Sequence, residues 1–212
     1  HSLETFCFLQ ALKILYPKHI YIVRGTFDCS ALNRIYGLFD QFKSAKYSHW
    51  VSLWWFVNRC LDYLPLVATI NKSVFCVSGG LAPEIPKLQD ISKRIEPAPV
   101  TYSQDYGPEV DLLYSSYQDW AVGWEDSCGR DLSFQYGPDV VDKFLSASNL
   151  KYMITGSLAI ETGFEKNNGK ILQLFSSPDY CGEFYNDGVA LQISESLEFK
   201  IAHTLHSKNL RD

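Results

Sequence analysis

Two short blocks in the chain place polar side chains beside glycine at the ends of apolar runs. In Arg24-Gly25-Thr26-Phe27-Asp28 a guanidinium, a hydroxyl and a carboxylate follow one another closely. In Ser78-Gly79-Gly80-Leu81 a second hydroxyl precedes two glycines, which permit an unusual backbone path. Hard divalent metals need carboxylates, imidazoles or amide oxygens converging on them. Neutral Ser and Thr hydroxyls hold such ions poorly without carboxylates beside them. His203 and His206 are spaced like a metal pair, but neither Cys nor a carboxylate flanks them, so they read as polar surface residues. The cysteines Cys7, Cys29, Cys60, Cys76, Cys128 and Cys181 form no C-x-x-C pair, which argues against a zinc site or a redox dithiol. Several lie in apolar runs such as Phe75-Cys76-Val77, where a thiol behaves as a small hydrophobe. Unpaired thiols and a reducing compartment are expected.

The elements that must position these blocks can be read from apolar spacing. Leu3, Phe6, Cys7, Ala11, Ile14 and Leu15 recur at helical intervals, with Ser2 as N-cap and Tyr16-Pro17 as the stop. The β-branched run His19–Val23 predicts a buried strand that delivers Arg24–Asp28 to a strand–loop–helix junction. A second helix follows with Leu32, Ile35, Phe39 and Phe42 on one face, then a Trp-rich helix from about Trp50 to Tyr63. Trp50 and Trp54 share a face and belong to a core, whereas Trp55 is rotated away and could mark an interface. Strands are predicted at Leu66–Ile70 and Ser73–Val77, joined by a tight turn at Asn71-Lys72. An irregular connection spans Glu96 to Gly107. Val140, Val141, Phe144 and Leu145 restore helical periodicity behind Pro138. Strand-like runs at 152–154, 171–175, 189–193 and 197–201 follow, punctuated by Asn167-Asn168-Gly169 and Asn186-Asp187-Gly188. The sum is a mixed α/β pattern.

At 212 residues, 46% hydrophobic and 15% aromatic, the chain can bury a core and is not a disordered segment. A net charge of −5 with scattered cations argues against a nucleic-acid surface. Lys87, Lys93 and Arg94 make the nearest thing to a basic cluster and read as a solvated face. No apolar stretch approaches the ~20 residues of a membrane span.

Taken in order, Ser2-Leu3-Glu4-Thr5, Tyr16-Pro17, Arg24-Gly25-x-x-Asp28 and Asn33-Arg34-Ile35-Tyr36-Gly37 resemble the phosphoprotein phosphatases, the metal-dependent serine/threonine phosphatases. Asp62-Tyr63-Leu64-Pro65-Leu66, Gly79-Gly80-Leu81-Ala82-Pro83, Asp111-Leu112-Leu113-Tyr114-Ser115 and Gly123-Trp124 extend the resemblance. The run from Leu174 to Phe184 is similar to the type-1 branch. The resemblance implies one phosphatase-like domain over 1–212, with a calcineurin-like metallophosphoesterase fold. That fold is a two-sheet α/β (α+β) sandwich flanked by helices, here lacking its N-terminal portion. Two ligand blocks, G-D-x-H-G and G-D-x-V-D-R-G, would stand ahead of His1.

Such enzymes use two divalent metals, such as manganese, iron or zinc, to activate a water and clamp the phosphate. The departures fall on that machinery. Where the family carries R-G-N-H-E, Thr26 replaces a metal-binding Asn and Phe27 the His that protonates the leaving group; Asp28 ends the motif. A phenyl ring does no acid–base work, and loss of a general acid costs about 10²–10⁴ in rate. H-G-G-L becomes Ser78-Gly79-Gly80-Leu81, and R-A-H-Q becomes Thr155-Gly156-Ser157-Leu158. The D-L-L-W-S-D block reads Asp111-Leu112-Leu113-Tyr114-Ser115-Ser116, with Ser116 in place of its last Asp. Arg130 matches the phosphate-clamping Arg and Tyr180 the aromatic beside the cleft. Arg130 could equally pair with Asp126 or Asp131, and Tyr180 could simply pack.

The expectation is therefore a pseudophosphatase with no catalytic residue and no cofactor. It would serve as a structural or protein-binding scaffold within a larger intracellular assembly, cytoplasmic or cytoskeletal. Neither nucleic acid nor membrane is expected as a partner. Two alternatives stand beside it: an active serine/threonine phosphatase, and a phospho-reader in which Arg130 and the cleft hold a phosphoprotein without cleaving it. The family's groove for short hydrophobic docking motifs would carry Lys166 and Glu198 among Val74, Met153 and Leu197, and charges there should weaken such docking.

Overall fold

The computed structural model describes residues 1–45, 48–95, 106–126, 133–156 and 158–204. In chain order come α1 (Ser2–Leu15), α2 (Ser30–Asn33), α3 (Leu38–Ser44) and α4 (Trp50–Asp62), then the hairpin β1 (Val67–Ile70) and β2 (Val74–Val77). Next are α5 (Ile91–Arg94), α6 (Pro108–Tyr114), β3 (Ser116–Tyr117), β4 (Trp124–Asp126), β5 (Phe134–Tyr136) and α7 (Pro138–Ser148). β6 (Tyr152–Thr155), β7 (Phe164–Asn167), β8 (Ile171–Leu174), β9 (Gly188–Ile193) and β10 (Phe199–Thr204) complete the described elements.

The main sheet runs in the order β1-β2-β6-β8-β7. β2, β6 and β8 are parallel, and hairpins flank them on either side. Phe75, Val77, Met153 and Ile171 face α7, where Phe75 meets Phe144 at 5.0 Å and Val141 and Leu145 close the core. The alternate residues face the other way. There Tyr152 stacks edge-on with Phe199 of the β9–β10 ribbon at 4.8 Å. A helical layer, the sheet and a second strand pair thus stack as the resemblance implies, because strand side chains alternate between faces. A three-stranded sheet, β3-β5-β4, packs Tyr117 and Tyr136 onto the same core.

A second core lies among α1, α3 and α4, built from Leu38, Phe42, Trp54, Val57 and Leu61 with Leu3, Phe6 and Trp50 against it. Trp54 is buried and Trp55 is 52% exposed, as their helical angle requires. Trp54 Nε1 donates to Asn33 Oδ1 (2.9 Å), and Asn33 Nδ2 donates to Asn58 Oδ1 (2.7 Å).

Several expectations need correction. Residues 19–23 join no ladder among the described residues: the Arg24 amide donates to the Pro65 carbonyl (2.9 Å), but Tyr21, Ile22 and Val23 find no described main-chain partner. Strand propensity is expressed only where a neighbouring edge is available. The single helix expected through 32–42 is broken into α2 and α3 at Gly37, whose φ of 99° leaves the right-handed region. Ser2 begins α1 rather than capping it; His1 holds the cap position and makes no side-chain capping bond. The glycines after Ser78 keep negative φ, and they are required for close approach instead. A Cβ on Gly79 would sit 2.4 Å from the Leu113 carbonyl carbon, and one on Gly80 2.3 Å from Tyr136 Oη. The expected irregular stretch lies largely at 96–105, outside the described residues.

Candidate functional site

The loop after Arg24 is held by that side chain, which is 1% exposed. Its Nη2 pairs with Asp62 Oδ1 at 2.9 Å, and its Nε donates to the Asp28 carbonyl at 2.9 Å. The Asp28 carboxylate in turn accepts the Gly25 amide (2.7 Å). Burial raises the Asp28 carboxyl above its ordinary value, against the opposing pull of the Gly25 amide and the Arg24 charge. The loop is thereby fixed by its own side chains, and the Asp28 oxygen is committed to its own backbone.

Thr26 is carried by this loop to the end of β2. Its Oγ1 donates to the Leu113 carbonyl (3.1 Å) and lies 3.3 Å from Ser78 Oγ. One hydroxyl has one proton, so with the Thr26 proton on Leu113 the Ser78 hydroxyl must be the donor to Thr26. Tyr114 Oη donates to the Thr26 carbonyl at 3.0 Å and lies 3.5 Å from Cys29 Sγ. The structure therefore brings Thr26 and Ser78 together. It turns Phe27 outward, 42% exposed and stacked on Tyr36 at 4.9 Å. Beside Ser78 lies a cavity of about 370 Å³, lined among others by Val23, Gly25, Cys76, Ile154 and Leu174. Burial pushes the Cys76 thiol up to about 11, so it stays protonated and uncharged.

Ser116 and Tyr180, the other expected positions among the described residues outside this loop, form no described bond to the pair. Ser116 lies on β3 opposite Gln135 and makes no hydrogen bond to Thr26 or Ser78. Tyr180 packs between Phe175 (5.1 Å) and Phe184 (5.7 Å), an aromatic stack in which its ring has a structural place. Arg130 and Ser157 lie outside the described residues, as does His206. His203 is exposed on β10 opposite Val189. The five expected groove residues do not line one surface. Val74 and Met153 are fully buried at successive register positions and so face opposite sides of the sheet. Lys166 Nζ instead sits 5.9 Å from both the Tyr152 and the Phe199 rings.

The family profile described as calcineurin-like phosphoesterase matches residues 1–156. The chain belongs to the calcineurin-like phosphoesterase family. Among solved structures this chain is similar to a protein serine/threonine phosphatase from Saccharomyces cerevisiae, itself described as similar to human phosphatase PP5. The two are 27% identical with a TM-score of 0.82 over 95% of this chain. The match spans 65% of the length of that yeast protein. The resemblance to serine/threonine phosphatases and the mixed α/β fold it implies are borne out.

The described donors of this chain do not fit a pair of divalent cations. The hydroxyls of Thr26 and Ser78, at positions where the resemblance implies ligands, bond one another and a carbonyl, and among the described residues no three His, Cys, Asp or Glu side chains converge as a metal group. Sequence reasoning missed two features. Tyr114 was read only as part of a motif, and its tie to Thr26 spans 88 residues. Asp111, 6% exposed on α6, accepts the Ser133 hydroxyl at 2.7 Å. Burial raises its carboxyl to about 6, against the Ser133 bond and with the help of Glu84 and Glu109. A lone Asp among apolar neighbours was the available signal.

Proposed function

We propose that this chain is a catalytically inactive member of the phosphatase family whose fold serves as a protein-binding scaffold in a larger assembly. The observation that carries this reading is the Thr26–Ser78 pair. At two positions where the resemblance implies metal ligands, neutral hydroxyls are engaged with each other and with the Leu113 carbonyl. Phe27, at the position of the proton donor, has no titratable atom and stacks on Tyr36. Two metals would supply water activation and charge neutralisation in the family's chemistry, and the described residues offer no substitute for either. The free thiols of Cys7, Cys29, Cys60, Cys76 and Cys181 support an intracellular setting. Among the described residues no helix is long and apolar enough to cross a membrane. The phospho-reading alternative depends on Arg130, and no described contact favours it.

The test is metal content per chain of the full-length protein by elemental mass spectrometry, run beside a phosphoserine-peptide hydrolysis assay in manganese. Less than about a tenth of a metal per chain and no turnover above buffer are expected, since no general acid or metal-activated water is offered. One or two tightly held metals with measurable turnover would overturn the proposal.

A further inference from the structure

Three of the chain's departures from its family's motifs meet at one point. Thr26 stands for Asn, Ser78 for His, and Tyr114 for the Trp of D-L-L-W-S-D. We infer that Thr26, Ser78 and Tyr114 form a hydroxyl staple that holds together the loop 24–28, the end of β2 and α6. It ties together segments that metal ligands would otherwise join, and it rests on the inactive-site reading above.

The geometry supplies a consistent chain of donors and acceptors. Ser78 donates to Thr26 Oγ1, Thr26 donates to the Leu113 carbonyl, and Tyr114 donates to the Thr26 carbonyl. The Tyr114 oxygen keeps lone pairs to accept the Cys29 thiol at 3.5 Å, a dual role that an indole N–H cannot fill. Cys29 is 2% exposed, so this end of the staple is shielded from water. The Thr26–Ser78 contact, at 3.3 Å, is the longest oxygen–oxygen link and hence the weakest. The joined residues lie 52 and 88 apart in sequence. Hydrogen bonds across such separations act on the folded state alone. They restrain a loop whose preceding residues, Tyr21 to Val23, have no strand partner among the described residues.

The experiment compares the full chain with its Thr26→Val, Ser78→Ala and Thr26→Val/Ser78→Ala variants, by thermal melting and by hydrogen exchange of peptides covering 20–30 and 140–148. Thr26→Val and Ser78→Ala should each lower Tm by about 2–4 °C. Each should speed exchange across 20–30 and leave α7 unchanged. Because the Ser78 bond ends on Thr26, the double variant should melt where Thr26→Val does. Thr26→Ser keeps the oxygen and should stay within about 1 °C of the parent. Unchanged exchange at 20–30 in both single variants, or fully additive losses in the double variant, would overturn the staple. Manganese added to the parent separates the two proposals. A saturable rise in Tm overturns the inactive-site reading, whereas the variant comparison decides the staple.

Discussion

Replacing Asp111 with Asn should flatten the chain's pH-dependent stability between pH 5 and 8. The Asp111 carboxyl titrates near 6 in the fold against an ordinary 3.8, because burial on α6 beside Glu84 and Glu109 disfavours its charge. At 1.36 kcal/mol per tenfold, keeping it charged costs up to about 3 kcal/mol, and residual solvent screening brings that to roughly 1–2. The sign follows from proton counting. Between the unfolded and folded values the native state binds more protons, so this contribution is fully present below 3.8 and is lost as pH rises through about 6. About half of that loss falls between pH 3.8 and 5, so at roughly 2–4 °C per kcal/mol for a domain of this size the parent should melt about 1–4 °C higher at pH 5 than at pH 8. Asn keeps an oxygen to accept the Ser133 hydroxyl, so the variant should lose this contribution while matching the parent below about pH 3.8 and exceeding it at pH 8. Asp28, also raised by burial, adds to the slope in both proteins and cancels in the comparison. Asp90 and Asp139 are lowered by their lysine partners and act below this window. Thermal melts at half-unit steps suffice. Parallel profiles for parent and variant from pH 5 to 8 would refute the assignment of the slope to Asp111.

Two packing predictions can be checked by chemical denaturation. Gly80→Ala places a methyl 2.3 Å from Tyr136 Oη and 2.7 Å from Ser115 Oγ, with both neighbours buried. It should cost about 2–4 kcal/mol, and a loss below ~0.5 would mean that Tyr136 can move aside. Asn33→Ala removes the bond to Trp54 Nε1 and the partner of Asn58 Oδ1, leaving buried polar groups unmatched. About 1–3 kcal/mol of destabilisation is expected, and a neutral result would show that water replaces the amide.

Local physics made part of this fold legible in the sequence. Asn71-Lys72 forms a turn with both residues at positive φ (50° and 49°), and α7 begins at Pro138 with its apolar stripe against the sheet. Trp50, Trp54 and Trp55 fall where their helical angles put them, because a 3.6-residue period needs no distant partner. The motif blocks carried the family, since their order and spacing are properties of the chain itself. Tertiary structure decided the rest. β3, β4 and β5 are only two or three residues long and exist through their pairing, so no window of sequence could signal them. Residues 19–23 have strand composition and no ladder among the described residues, because a strand is defined by its neighbour. That hydroxyls stand at Thr26 and Ser78, where the resemblance implies ligands, was readable one position at a time. That the two replacement hydroxyls bond to each other, with Phe27 turned outward and Tyr114 closing the set, was decided by segments far apart in sequence packing side by side.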